Sequence, residues 1–271
     1  MTSSLKRLGY GGAAVVDGVQ VLFTSAGFDT AKTPSYQTPL DISPTLVSRS
    51  KVLHADGTEA YTGTVSLDVT QNFMDILTVA KLFARRYKFS FGFNDGENTK
   101  GMLNCYVTSL TVSGAAGGLL TSTLAVISAS SWATPSPFLV PDSYIGFQGG
   151  DPDNIPKGYW HSGNTNVREW TLTMTQDTVP CYTNQNVKTP RYIRVGMVTY
   201  SLQVTTYEQL YPYGAVTTSD NIGISTSAFT LTGVLMAEGN TFNGPSDLGG
   251  YTHTFETAAD AATGSGAVII T

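Results

Sequence analysis

Charge is scarce in this sequence, and the residues that hold metals or build disulfide frameworks are scarcer. Asp, Glu, Lys and Arg make up 13% of the 271 residues, with 15 basic against 20 acidic groups and a formal charge of −5. A surface that grips nucleic acid needs clustered Lys and Arg to release counterions, so this balance argues against one. The one basic cluster, Lys81, Arg85, Arg86 and Lys88, fits the solvated face of a helix. Cys105 and Cys181 are too few for a framework or a metal set; Cys105 in the apolar run MLNCYVTSL reads as a small core residue, and a bridge requires the two halves to touch. The three histidines, His54, His161 and His253, have no second ligand at metal spacing, and His253 in YTHTFET reads as an exposed strand residue. No metal and no cofactor are expected.

Long apolar runs are missing too. No stretch approaches the roughly 18 residues of a bilayer span, so no membrane contact is expected. The N-terminal MTSSLKRLGYGGAAVVDGVQVLF lacks an uninterrupted apolar h-region, and the chain has no N-x-S/T sequon, which together favour folding in the cytoplasm. Catalytic signatures are likewise absent: there is no G-x-S-x-G, H-E-x-x-H, Walker or Rossmann pattern. The run NDGENTKG lacks the spaced oxygen ligands of a calcium loop and reads as a hairpin tip. Carboxylate pairs such as Asp142 with Asp151, or Glu59 with Asp68, acquire meaning for glycosidase chemistry only from their separation in space. With no nucleophile or acid pair declared, no catalytic residues are assigned and the chain is not expected to be an enzyme. Aromatics in GYWHSGN (Tyr159, Trp160) and YEQLYPYG (Tyr207 to Gly214) offer either a sugar-stacking surface or an interface seal.

What the chain does have is Gly (28), Tyr (14), Thr and Ser in quantity, the profile of short strands and frequent turns. Asp17-Gly18 between AAVV and VQVLF predicts a two-residue hairpin turn, since both turn positions need positive φ. The same device is read at Asp56-Gly57 and around Asn94-Asp95-Gly96. In TGTVSLDVT, Val65, Leu67 and Val69 alternate with polar residues, the period that buries one face of a strand. One helix is expected at about 72–86, where Phe73, Ile76, Leu77, Ala80 and Phe83 or Ala84 recur at three- and four-residue steps behind Asn72 as N-cap. Thr24 to Ser48, with Pro34, Pro39 and Pro44, has no clean periodicity and reads as an arm that gains order by lying on a neighbouring subunit. Pro, Gly and Asp crowd residues 134–156, marking a linker between a domain at 1–133 and a second, related β domain at 157–271.

The relation between the halves is first seen in VSLDVTQN (Val65 to Asn72) and WTLTMTQD (Trp170 to Asp177), where Leu67, Thr70 and Gln71 match Leu172, Thr175 and Gln176 at a constant offset. YVTSLTVSG and LLTSTLAVISA then follow in the first half, as MVTYSLQVTT and ISTSAFTLTGVLMA do in the second.

The N-terminal hairpin, the long Pro-containing loop, strands ending in SLDVT, a single helix and the closing hairpin CYVTSLTVSGAAGGLLTSTLAVIS resemble the tail tube proteins of tailed bacteriophages and related contractile injection machines. The resemblance covers residues 15 to 132 and, more weakly, 159 to 257. It implies an all-β fold of two tandem β-sandwich or curled-sheet domains, the first carrying one helix. It also implies a structural virion protein of the tail, in the main tube or the tip, whose rings line a channel for DNA ejection. The partners implied are further copies of the chain, three per ring of six domains or six if only the first domain builds the wall, together with other tail proteins such as sheath, terminator or baseplate. DNA would be passing cargo only. The reading from a different class is a carbohydrate-binding β-sandwich module of a tail fibre or adhesin.

Overall fold

The first reversal of the chain is made by Asp17 and Gly18, both at positive φ (51° and 80°), the type I′ geometry in which two residues join two strands. It links β1 (Ala13–Val16) to β2 (Val19–Val21), with Val16 opposite Val19, as the Asp-Gly signal predicts. This computed structural model describes residues 13–21, 23–37, 53–68, 88–94, 99–115, 118, 121–130, 167–184, 188–207, 218–224, 227–241, 250–258 and 268–270. The expected helix at 72–86, the expected linker at 134–156 and the latter part of the arm lie outside the described residues.

The fold is all-β and antiparallel. After β2 come β3 (Phe23–Gln37), β4 (Leu53–Asp68), β5 (Phe89–Asn94), β6 (Thr99–Ala115) and β7 (Thr121–Ser128). The second half supplies β8 (Val167–Cys181), β9 (Tyr192–Thr206), β10 (Thr218–Ile224), β11 (Ser227–Thr241), β12 (Gly250–Ala258) and β13 (Val268–Ile270). Eight of these lie side by side in the order β3, β4, β7, β6, β8, β9, β12, β11. On the early part of β6 sits β5, with β1 and β2 beyond it, while β10 and β13 pair with the early part of β11. The hairpin expected around Asn94 is present, with Asn94 opposite Thr99.

Pairing order reveals a repeat. In the first half β3 pairs β4, β4 pairs β7, β7 pairs β6 and β5 pairs β6. In the second half β8 pairs β9, β9 pairs β12, β12 pairs β11 and β10 pairs β11. Five strands in chain order thus repeat four pairings, with β3 to β7 corresponding to β8 to β12. This equivalence places β4 against β9, and VSLDVT (65–70) against YSLQVT (200–205), which share Ser, Leu, Val and Thr at one offset. It differs by one strand from the matching read in the sequence, which set β4 against β8. The halves are joined where β6 pairs β8, Ser109 opposite Thr175 through Ala115 opposite Glu169.

Two expectations are overturned. Residues 24–37 of the supposed patternless arm belong to β3, a 15-residue strand paired along β4. Its period is hard to see because successive residues are alike in exposure: Thr24, Ser25, Gly27, Asp29, Thr30, Ala31, Lys32 and Thr33 are all exposed. Pro34, which has no amide hydrogen to donate, falls at a register shift between Thr33 and Ser35, where a ladder tolerates it. Opposite that shift lie Asp56 and Gly57, so this Asp-Gly pair marks an irregularity inside the continuous β4 instead of a turn. Beyond Tyr61, the last β4 residue opposite β7, β3 and β4 continue as a two-stranded ribbon.

One face of the wall is apolar and buried. Val65, Leu67, Leu110, Val112, Leu124, Leu172, Met174, Leu202 and Val204 are at most 1% exposed. They lie opposite one another across the strands: Val65 faces Leu124, Leu124 faces Leu110, Leu110 faces Met174. Tyr106 and Ile127 of the first half share a buried cluster with Ile193 and Val195 of the second.

Candidate functional site

A strand with one buried face must turn every second residue the other way. In this wall most of those residues are Thr or Ser. One row runs Ser25, Ser66, Thr123, Thr111, Thr173, Ser201, crossing six strands with each residue directly opposite the next. A second runs Thr64, Ala125, Ser109, Thr175, Thr199, and a third Thr121, Ser113, Thr171, Gln203, Thr254. All are half-buried or exposed. Ser66 Oγ lies 3.4 Å from Thr123 Oγ1, and Thr111 Oγ1 lies 3.5 Å from Thr173 Oγ1 across the junction of the halves. β-branched Thr suits both demands, since it holds an extended backbone and presents a hydroxyl. Neither Lys nor Arg stands in these rows; the first continues to Glu256 and the third to Asp68. A neighbouring position holds Glu169, opposite Thr205.

At the junction the face dips into an open cavity of about 390 Å³, lined by Ser113, Ala115, Thr121, Glu169, Thr171, Gln203 and Thr205 among others. No aromatic ring is offered there, because Trp170, although at the edge of the cavity, is only 2% exposed. The junction is closed on the other face by Gln176, buried to 4% exposure, whose Nε2 donates to the Val107 carbonyl at 2.9 Å. That carbonyl sits beside the register shift between Val107 and Ser109, where the β6 ladder is interrupted, so the side-chain amide takes up the ladder's end.

The base of the ribbon is tied to the second half around Glu59. Its carboxylate meets Lys32 Nζ at 2.9 Å and accepts from the Tyr61 hydroxyl at 2.6 Å. Its backbone N–H donates to the Lys188 carbonyl at 2.8 Å, and its carbonyl accepts from the Tyr182 hydroxyl at 2.8 Å. Tyr61 and Lys32 together hold the Glu59 carboxyl below its ordinary value of 4.5. Burial, followed by the Glu59 carboxylate, pushes the Tyr61 hydroxyl up.

The residues singled out from the sequence are scattered. Glu59 and Asp68 lie nine positions apart on one strand, roughly 30 Å at about 3.3 Å per residue, which no glycosidase pair spans. Asp142, Asp151, Tyr159, Trp160 and His161 lie outside the described residues. Cys105 is buried and Cys181 partly so, and both are free thiols. Burial pushes the Cys105 thiol up to about 12, which removes its nucleophilic form at neutral pH. His253, expected on the exposed side, is fully buried, with Nε2 3.2 Å from Thr206 Oγ1 and its ring stacked 6.5 Å from Tyr251. The sequence held the signal: His253 alternates with Tyr251 and Phe255, on the side opposite to the threonines. Among the described residues no cluster of His, Cys, Asp and Glu has the geometry of a metal site. No helix among them is long and apolar enough to cross a membrane.

No protein-family model matches the chain, and no curated protein matches it. The site is therefore read from its own geometry: hydroxyl rows that hold no Lys or Arg among the described residues, a long strand edge at β3, and a repeated pairing pattern.

Proposed function

We propose that this protein is a structural, non-catalytic subunit that builds a tubular wall of the phage tail-tube kind, its hydroxyl face turned to a channel through which DNA passes. The observation that carries the reading is the repeated wall itself, two four-stranded units joined edge to edge by β6 and β8 within one chain. A unit that already adds to its own copy through strand edges is suited to adding to further chains in the same manner, and closed rings are how natural assemblies consume such edges. The hydroxyl rows support the lumen assignment. DNA adheres through Lys and Arg that displace its counterions, and these rows have neither. Thr and Ser instead keep a hydrated surface over which a polyanion slides.

On this reading the site of action is the virion tail, the partners are further copies and neighbouring tail proteins, and DNA is cargo. The carbohydrate-binding alternative rests on the polar cavity at the junction and on Tyr207, which is 48% exposed at the end of β9. It is the weaker reading, since stacking on a sugar needs an exposed ring over the polar groups and the cavity has none. Negative-stain microscopy of the purified protein at rising concentration separates them. Rings or tubes are expected; discrete monomers that bind glycans would replace this reading with the alternative.

A further inference from the structure

Within one chain the structure holds a complete junction between two copies of the unit, and it has two parts. In the wall, β6 ends the first unit and pairs with β8, which begins the second. At the strand ends, β4 runs past its last β7 partner and is met there by the β8–β9 connection, through Lys188 and Tyr182 at Glu59.

The outer sides of the same units carry the unmatched halves of both parts. β11 corresponds to β6, and among the described residues its stretch from 234 to 241 pairs with β12 alone. β3 corresponds to β8 and, among the described residues, pairs with β4 alone. β9 corresponds to β4 and runs past Thr199, its last position opposite β12. There, counted along the ladders, the position equivalent to Glu59 is Ile193, opposite Pro180, and the exposed Arg194 stands next to it, opposite Val179. Around it three large apolar side chains stand in solvent: Val179 (57% exposed), Tyr192 (54%) and Met197 (55%).

We propose that a second copy of this chain docks on that side as the second unit docks on the first. Its β3 adds to β11 from position 234 onward, and the β3–β4 ribbon closes over Val179, Tyr192 and Met197 at the end of β9. The occupant is identified by the repeat: the surface equivalent to this one, on β4, is covered by the β8–β9 hairpin, and the ribbon is that hairpin's equivalent. Tyr182 corresponds to the end of β3 near Thr33. The apolar trio fits a face that is covered in the assembly and has no function in the free subunit. This inference rests on the self-assembly reading above.

Two experiments test it together. Tyr192→Asp and Met197→Asp change side chains already more than half exposed, so the subunit's circular dichroism and melting temperature should be unchanged. Sedimentation of the double variant should show at least a tenfold weaker association than the parent. In a Cys181→Ser background, mixing a Thr33→Cys variant with an Arg194→Cys variant under mild oxidation should give a disulfide between chains. A parent that assembles, a double variant that assembles equally well and no cross-link would refute this docking and leave the self-assembly reading standing. A parent that never associates, alone or with neighbouring tail proteins, would refute both.

Discussion

At Gly196 the fold leaves no room for a side chain. A Cβ there would stand 2.8 Å from the Asp177 Cβ, across the register shift between Gln176 and Thr178. That neighbour is the root of a side chain and cannot swing aside, so the backbones must part. Gly196→Ala is expected to cost about 1–3 kcal/mol, the usual range for overpacking a tight site. Adding Asp177→Gly should recover most of the loss, and urea melts of the three variants measure it. A cost unchanged by Asp177→Gly would show that the strain arises elsewhere.

At the scale of elements, the ribbon is the part whose stability should depend on acid. The Glu59 carboxyl is held below 4.5 by Tyr61 and Lys32, so the folded ribbon prefers the ionised form. A depressed carboxyl contributes its stabilisation fully above the unfolded value and loses it as pH falls through the folded one. Amide protection around Ala60 and Tyr61 should therefore drop on acidification through and below the ordinary carboxylate range. In Glu59→Gln the protection should start lower and lose that acid dependence; hydrogen exchange at several pH values checks both. The same elements show what was legible beforehand. Asp17-Gly18 could be read because two positive φ angles leave few residues to choose from. Asp56-Gly57 misled because the same pair also serves an irregular ladder opposite Pro34. β3 was hidden because burial writes the period of two, and β3 buries little. The repeat was visible, but its register was not. Strands of alternating Thr, Ser and Val match one another at many offsets, and only the partners across the sheet decide that β4 answers to β9 and not to β8. The hydroxyl rows lay unread for the same reason, since Ser66, Thr123, Thr111, Thr173 and Ser201 become neighbours only through pairing.

For the whole molecule, the proposed role of the hydroxyl face, passing DNA without holding it, should be easy to spoil by adding cations. The unaltered protein is expected to show no retention of duplex DNA at low salt. Thr111→Lys with Thr173→Lys, placed opposite each other at the junction, should produce binding that weakens as salt is raised, because phosphate contacts release counterions. Retention by the unaltered protein would contradict the channel role proposed for the hydroxyl face. The central claim, that the two units of one chain continue into further chains through the same kind of junction, is tested most directly by the mass of an isolated ring. Three copies of the 28.8 kDa chain are expected, closing six wall units. A ring of six chains would mean that only one unit per chain builds the wall. A particle that stays at one chain mass at every concentration would contradict the claim itself.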